Sequence, residues 1–173
     1  AMNSKRSLGK RKILLFLLAW IFVFSYAQAE EEKSFSIYLV RHAEKQSGKP
    51  GDLTVCGKQR AEDLIEVLRS VDIEGIYSTD VLRSTNTAQP IATQRQLKID
   101  IYDRSKLEDF SRQLLRQQKN AVVVGHLNTT PMLTGFLSGN NYKMIKGDDY
   151  SRIYQVVVVA GQTHVSILHH TFK

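Results

Sequence analysis

The sequence predicts an α/β fold, a three-layer αβα sandwich in which helices cover both faces of a mostly parallel sheet. From residue 36 onwards, short apolar segments rich in β-forming residues alternate with segments whose apolar residues recur at helical spacing. This order, β-α-β-α-β-α-β-α, is typical of parallel strands joined by crossover helices. Two further strand-like segments around Gly161-Gln162 predict an antiparallel pair at the C-terminal end.

Six segments are predicted to be strands because they are short, apolar and rich in β-branched or aromatic residues. They are residues 36–40, 75–77, 98–102, 121–124, 153–160 and 163–170. The first and the fourth are apolar almost throughout, as expected of strands that are covered on both faces.

Four segments are predicted to be helices, and two others to be loops. The first helix spans residues 58–70, the second spans 81–96 despite Pro90, and the fourth begins at Pro131. The third carries Leu107, Phe110 and Leu114, and Ser105 with Glu108 three residues later predicts a capping box at its start. The loops are residues 43–56 and 138–151.

The N-terminal residues 1–29 are predicted to be a secretory signal peptide, which precedes a single domain of residues 30–173. Five basic residues come before the apolar run Ile13–Ala27, and Ala27-Gln28-Ala29 has the small residues that a signal peptidase reads. The alternative is an uncleaved membrane anchor, which usually needs about 20 apolar residues. We therefore expect an exported protein, periplasmic or otherwise extracytoplasmic, that touches a membrane only through this segment.

The net charge of +7 does not indicate a nucleic-acid partner, because much of it belongs to the N-terminal segment. Residues 30–173 hold 19 basic and 17 acidic residues. Cys56 is the only cysteine, so the chain has neither an internal disulfide nor a cysteine-rich zinc site.

Unusual polar residues follow three of the predicted strands. Arg41-His42 comes directly after residues 36–40, Gly125-His126 directly after residues 121–124, and Arg83 a few residues beyond residues 75–77. Since ligands of open α/β sheets bind outside the carboxyl ends of the strands, two histidines and two arginines are expected to converge there.

These residue types suit phosphoryl transfer without a metal ion or another cofactor. The transferred group spreads negative charge over three equatorial oxygens, and planar guanidinium groups bind such oxygens in fixed geometry. A neutral imidazole is a competent nucleophile, and a second imidazole can donate a hydrogen bond to the phosphoryl group.

The same segments resemble the histidine phosphatase superfamily, the phosphoglycerate-mutase-like proteins of branch 1. Leu-Val-Arg-His-Ala-Glu at 39–44 and Leu-Thr-Val-Cys-Gly at 53–57 are similar to its first signature. Tyr-Ser-Thr-Asp at 77–80, followed by Arg83 and Thr87-Ala88, is similar to its second block. Val124-Gly125-His126 is similar to the block that carries its second histidine.

The resemblance implies a role for each of the four strand-end residues. His42 would be the phosphorylated nucleophile, Arg41 and Arg83 would bind the phosphate, and His126 would hydrogen-bond the phosphoryl group. Asn128 and Glu44 are weaker candidates for the pocket, with a helix cap and an exposed loop charge as the respective alternatives.

The carboxylate that protonates the leaving oxygen in many of these enzymes has no clear counterpart in the sequence. Asp103, just after residues 98–102, stands in about the right part of the chain and is the candidate general acid. Without a strong acid the enzyme would favour substrates with good leaving groups. This, together with the short chain, counts against a mutase.

We therefore expect a metal-independent phosphatase that hydrolyses phosphomonoesters through a phosphohistidine on His42. Its partner would be a phosphorylated small molecule or a phosphorylated cell-envelope component. The alternatives are a catalytically weak phosphate-binding module and a phosphatase specific for phosphohistidine or for lipopolysaccharide phosphates.

Overall fold

The computed structural model describes residues 33–48 and 51–170, so the predicted signal peptide or anchor, residues 1–29, lies outside the described residues. Six strands and four helices follow one another in the described part of the chain. The strands are β1 (Phe35–Arg41), β2 (Gly75–Ser78), β3 (Ile99–Ile101), β4 (Ala121–Gly125), β5 (Arg152–Val159) and β6 (Gln162–His169). The helices are α1 (Val55–Val67), α2 (Leu82–Arg95), α3 (Leu107–Gln117) and α4 (Thr129–Ser138).

The six strands form one mixed sheet in the order β3-β2-β4-β1-β5-β6. The pairs β1–β4, β2–β4 and β2–β3 are parallel, whereas β5 is antiparallel to both β1 and β6. Because β1, β2 and β4 run in the same direction, their carboxyl ends meet at one edge of the sheet. The residues that follow these strands are therefore brought together, as the sequence predicts.

Helices cover both faces of the sheet, which confirms the predicted three layers. Successive side chains of a strand point to opposite faces, so β1 contributes to two hydrophobic cores. Ile37 and Leu39 lie in a core with α3 and α4, and Tyr38 and Val40 lie in a core with α1 and α2. The parallel strands β1, β2 and β4 are thus buried on both sides, which explains why β1 and β4 are almost continuously apolar.

The predicted capping box of α3 is wrong. The residue at the N-cap is Lys106, and no side chain caps this helix. Ser105 instead donates from its backbone N–H and its hydroxyl to Asp103 Oδ1, at 2.9 and 2.6 Å, while Glu108 pairs with Arg112. The carboxylate of Asp103 therefore competes successfully for the groups that the capping box would have used.

Several element boundaries also differ from the prediction, among them those of α1 and β3. Helix α1 begins at Val55 rather than at residue 58, because the Thr54 hydroxyl accepts a hydrogen bond from the Gly57 N–H at 3.0 Å and caps the helix. Strand β3 is limited to three residues, Ile99–Ile101, at the edge of the sheet. Within the described residues, no helix is both long and apolar enough to cross a membrane.

Candidate active site

His42 follows β1 directly and is held at the edge of the sheet by its own backbone. Its N–H donates to the Gly125 carbonyl of β4 at 2.9 Å, and its side chain is buried. Nδ1 lies 2.8 Å from the carbonyl oxygen of Ala43. Since a carbonyl oxygen only accepts, Nδ1 carries the proton, and Nε2 of the neutral ring keeps a free lone pair.

The turn after His42 is fixed by α2. The Ala43 N–H donates to Thr87 Oγ1 at 2.9 Å, and the Thr87 hydroxyl donates to the Arg83 carbonyl at 2.7 Å. These two bonds connect the loop after His42 to the first turn of α2, which carries Arg83. The position of His42 relative to Arg83 is therefore set by buried hydrogen bonds.

The segment Leu-Thr-Val-Cys-Gly at 53–57 packs against the same loop. Leu53 is fully buried with Ala43, and the Thr54 N–H donates to the Glu44 carbonyl at 2.9 Å. A Cβ added at Gly57 would meet that carbonyl at a distance that real Cβ atoms do not show. Only glycine allows α1 to approach this closely, which gives the motif a structural reason.

The carboxylate of Glu44 is engaged in an ion pair. Arg60 Nε lies 3.0 and 2.9 Å from its two oxygens, and Arg60 Nη2 lies 2.6 Å from Oε1. Burial raises the pKa of Glu44, but the hydrogen bonds from Arg60, a backbone hydrogen bond and the positive charges of Arg60 and Arg41 together hold this pKa below its ordinary value. Glu44 therefore remains a charged partner of Arg60, close enough to Arg41 to affect the pKa of that arginine as well.

His126 follows β4 and faces His42. The two ring centroids are 5.4 Å apart with an interplanar angle of 66°. The His126 N–H donates to Thr129 Oγ1 at 2.9 Å, and Nε2 lies 3.0 Å from Thr79 Oγ1 of the β2–α2 loop. Loops from three neighbouring parallel strands thus converge on one point.

Arg41 is buried and is held through a single nitrogen. Nη1 donates to the carbonyl oxygens of Lys146, Gly147 and Asp149 at 3.1, 2.9 and 3.0 Å. The guanidinium lies over the Tyr150 ring, with Cζ 3.9 Å from its centroid. This arrangement anchors one end of the guanidinium to the α4–β5 loop.

The Nε atoms of Arg41 and Arg83 are both buried without a hydrogen-bond partner among the described residues. A buried charged donor that lacks a partner is costly, and each such case in a native structure calls for an explanation. Both arginines also lie close enough to His42 and to His126 to lower the pKa values of the two rings. An anion between the two histidines would satisfy these donors, as a phosphate group does.

Both histidines are held neutral. Burial lowers the pKa of His42 to about 4, against the raising effect of the hydrogen bond that Nδ1 donates to the Ala43 carbonyl, and the charges of Arg83 and Arg41 add to the lowering. Burial likewise lowers the pKa of His126 to about 4, followed by the charges of Arg83, Arg104 and Arg41. At neutral pH both rings are therefore uncharged, and Nε2 of His42 is available for nucleophilic attack.

The candidate general acid Asp103 and the pocket candidate Asn128 are both exposed. The hydrogen bonds from the Ser105 hydroxyl and N–H lower the pKa of Asp103, which is unfavourable for a general acid at neutral pH. Asn128 occupies the N-cap of α4, but its side chain makes no capping hydrogen bond. Asp103, the predicted general acid, is thus a poor proton donor.

Sequence reasoning missed Tyr150, Arg104 and the role of Thr79. Thr79 lies in the quoted segment 77–80, so its nearness to His126 could have been found from the parallel topology. Arg104 immediately follows Asp103, the residue of that loop that was predicted to be the general acid. Tyr150 lies within the predicted loop 138–151, where no pattern marks it, and nothing in the sequence indicated that it stacks on Arg41. Within the described residues, no group of three or more His, Cys, Asp or Glu side chains is arranged to hold a metal ion.

Comparison with known proteins agrees with the resemblance drawn from the motifs. The model of the histidine phosphatase superfamily (branch 1) matches residues 37–112, which include Arg41, His42 and Arg83. His126 lies beyond the matched residues and is placed beside His42 by the fold. No curated protein matches the chain. The match confirms the prediction of an enzyme of the histidine phosphatase type.

Several solved structures share the fold. The protein histidine phosphatase SixA, solved with tungstate, has a TM-score of 0.64 at 17% identity, covering 78% of this chain and 97% of its own. The α-ribazole phosphatase of Shigella flexneri has a TM-score of 0.65 at 17% identity, covering 79% and 96%. A mycobacterial glucosyl-3-phosphoglycerate phosphatase has a TM-score of 0.63 at 12% identity, covering 80% and 100%. At these identities the likeness establishes the fold.

Proposed function

We propose that this chain, a protein of the histidine phosphatase superfamily (branch 1), hydrolyses phosphomonoesters through a phosphohistidine on His42 and needs no metal ion. The observation that carries the proposal is the tautomer of His42. Nδ1 lies 2.8 Å from the Ala43 carbonyl and therefore carries the ring proton. The free lone pair is then on Nε2, which is the nitrogen that would attack phosphorus.

In the first step, Nε2 of His42 attacks phosphorus, the bond from phosphorus to the ester oxygen breaks, and its electron pair leaves with that oxygen. Charge on the equatorial oxygens is stabilised by the unpaired Nε donors of Arg41 and Arg83. Nε2 of His126 lies 3.0 Å from the Thr79 hydroxyl, and we assign that hydroxyl as the donor. In this assignment the other nitrogen of the His126 ring carries the proton and donates to a phosphoryl oxygen.

In the second step, water attacks phosphorus, the phosphorus–nitrogen bond of phosphohistidine breaks, and inorganic phosphate is released. The electron pair returns to Nε2, and the proton lost by the water goes to solvent or to the phosphate itself. The guanidinium groups supply the positive charge throughout, which is why the proposal includes no metal ion.

The need to expel the leaving group restricts the substrates that this site can hydrolyse. Glu44 is paired with Arg60 and Asp103 with Ser105, so neither carboxylate is protonated at neutral pH. Substrates whose leaving group needs no proton from an enzyme carboxylate are therefore preferred to alkyl phosphates. Aryl phosphates expel a stable aryloxide, and phosphohistidine expels a neutral imidazole once its other ring nitrogen has taken a proton from solvent. Among natural substrates the leaving-group chemistry favours phosphohistidine on a protein, with a phosphorylated small molecule or a phosphorylated cell-envelope component as the alternatives.

The test is release of p-nitrophenol from p-nitrophenyl phosphate by the wild type and by His42→Ala, with EDTA present. The matched control is His164→Ala, because His164 is an exposed histidine on β6. We expect activity in the wild type and the control, and loss of at least ~10³-fold in His42→Ala. Unchanged activity in His42→Ala would overturn the proposal.

The same lack of a protonated carboxylate supports a second candidate, a module that binds phosphate without turnover. In that case phosphate or vanadate would raise the melting temperature of the wild type while p-nitrophenol release stays at the level of His42→Ala. Turnover of several aryl phosphates would exclude this candidate.

We also propose export, on the basis of the basic residues and apolar run before Ala27-Gln28-Ala29. Cleavage after Ala29 would leave Glu30 as the first residue of the mature chain. The mass of the protein recovered from a periplasmic extract decides the matter, because the anchored form would keep its full mass and sediment with membranes.

A further inference from the structure

We propose that Tyr150 is a positioning residue for Arg41. Its ring and the carbonyl groups of Lys146, Gly147 and Asp149 form a clamp that orients the Nε–Nη2 edge of Arg41 towards the phosphoryl group. The expected effects on kcat/KM rest on the proposed function, whereas the expected effects on anion binding can be measured without turnover. Neither the sequence motifs nor the family match, which ends at residue 112, includes this loop.

The hydrogen bonds of Arg41 divide the guanidinium into two edges. Nη1 is occupied by the three carbonyl oxygens of Lys146, Gly147 and Asp149. Within the described residues, Nε and Nη2 make no hydrogen bond, and Nε is fully buried. A guanidinium binds an oxyanion best through two parallel donors on one edge. The anchored Nη1 leaves Nε and Nη2 as that pair.

Tyr150 fixes the remaining freedom of the group. Three carbonyls on one nitrogen still allow the planar guanidinium to tilt about that end. The Tyr150 ring covers one face, with Cζ of Arg41 3.9 Å from the ring centroid, a distance typical of cation–π contact. The same ring lies 6.1 Å from the His42 ring, between centroids, so the clamp borders the nucleophile.

The loop that carries the clamp is itself held firmly at both ends. Before it, Ile145 is buried and its N–H donates to the Leu127 carbonyl at 2.9 Å, next to His126. After it, Asp149 accepts hydrogen bonds from the Ser151 hydroxyl at 2.8 Å and from Arg152 Nε at 2.7 Å. The clamp therefore ties Arg41 to the strand ends that carry His126 and begin β5.

The variants Tyr150→Leu and Tyr150→Phe test the inference, with Met144→Leu as the control from an exposed position of the same loop. Phenylalanine keeps the ring face, so kcat/KM is expected to stay within about twofold of the wild type. Leucine removes it, and we expect kcat/KM to fall and the vanadate inhibition constant to rise about tenfold, equal to ~1.4 kcal/mol. Melting temperatures establish that each variant is folded.

A double-mutant cycle with Arg41→Lys shows whether Tyr150 acts through Arg41. Lysine has no Nε–Nη2 edge, so adding Tyr150→Leu to Arg41→Lys should change vanadate binding by less than twofold. Additive losses, or unaltered vanadate binding in Tyr150→Leu, would overturn the clamp while leaving the phosphatase proposal intact. If the wild type does not turn over, vanadate binding measured by calorimetry gives the same cycle, so the two proposals fail separately.

Discussion

The loops at the two ends of the proposed reaction are built differently. The residues directly after β1 and β4, which include His42, Ala43 and His126 on the proposed phosphoryl-accepting side, are buried, and the His42 N–H donates to the Gly125 carbonyl of the neighbouring strand. The loop after β3, which carries Asp103 and Arg104, is exposed. The Asp103 carboxylate accepts hydrogen bonds from Ser105 within the same turn. The first region is preorganised for an anion, and the second offers no ready proton donor.

This difference separates phosphate recognition from leaving-group chemistry. Electrostatic groups that are fixed before the reaction need no reorganisation in the transition state, and they supply a large share of catalysis in many enzymes. A general acid adds its share only where the leaving group needs a proton. The structure therefore predicts large effects for changes in the buried region and small effects for changes in the exposed loop.

Replacement of Arg83 by leucine is expected to have the largest effect among changes that spare the nucleophile. It removes a half-buried guanidinium whose Nε has no partner in the described chain. We expect kcat/KM for p-nitrophenyl phosphate to fall by about 10²–10³-fold, as for loss of one preorganised donor. Arg83→Lys should recover part of this loss, since it restores charge without the planar fork. Equal activity in the leucine variant and the wild type would contradict a buried anion site.

Gly57→Ala tests the buried region through its packing. The new Cβ would collide with the Glu44 carbonyl beside the nucleophile's loop. We expect a loss of about 1–3 kcal/mol in the free energy of unfolding, the usual cost of overpacking, with a matching fall in kcat/KM. Gly147→Ala is the control for stability only, because a Cβ there meets no atom within 4 Å whereas the Gly147 carbonyl contacts Arg41. Chemical denaturation of both variants measures the difference.

Acid should weaken the fold through the two histidines. In the unfolded chain a histidine has a pKa of about 6.5, whereas burial lowers the pKa of His42 and of His126 to about 4 in the folded protein. Between these values the unfolded state binds more protons, so stability is lost as the pH falls from about 6.5 to about 4. Urea midpoints of the wild type and of His42→Asn at pH 7.5 and 5 measure this, and the variant should lose less.

The fold and the four strand-end residues were predictable because both follow from periodicity and topology. A fully apolar strand such as Ala121–Val124 predicts burial, and parallel direction alone brings Arg41, His42 and His126 to one edge. The local motif Leu-Thr-x-x-Gly also had a local cause, since Thr54 caps α1 and Gly57 permits close packing.

The parts that could not be predicted depend on contacts between distant segments. The carbonyl groups that hold Arg41 belong to backbone more than 100 residues away, and a backbone acceptor has no signature in the sequence. The capping box failed because Asp103, two residues earlier, took the Ser105 groups for its own turn. A prediction from spacing alone cannot decide such a competition.

Asp103→Asn is expected to have the smallest effect, and it tests the exposed loop directly. The Asp103 carboxylate accepts hydrogen bonds from Ser105, and an asparagine oxygen can accept them as well. We expect kcat/KM for p-nitrophenyl phosphate and for an alkyl phosphate to change by less than about threefold, because general acid catalysis typically contributes 10²–10⁴-fold where it operates. A large loss confined to the alkyl ester would identify Asp103 as the proton donor, and the division between a preorganised region and a passive loop would then be wrong.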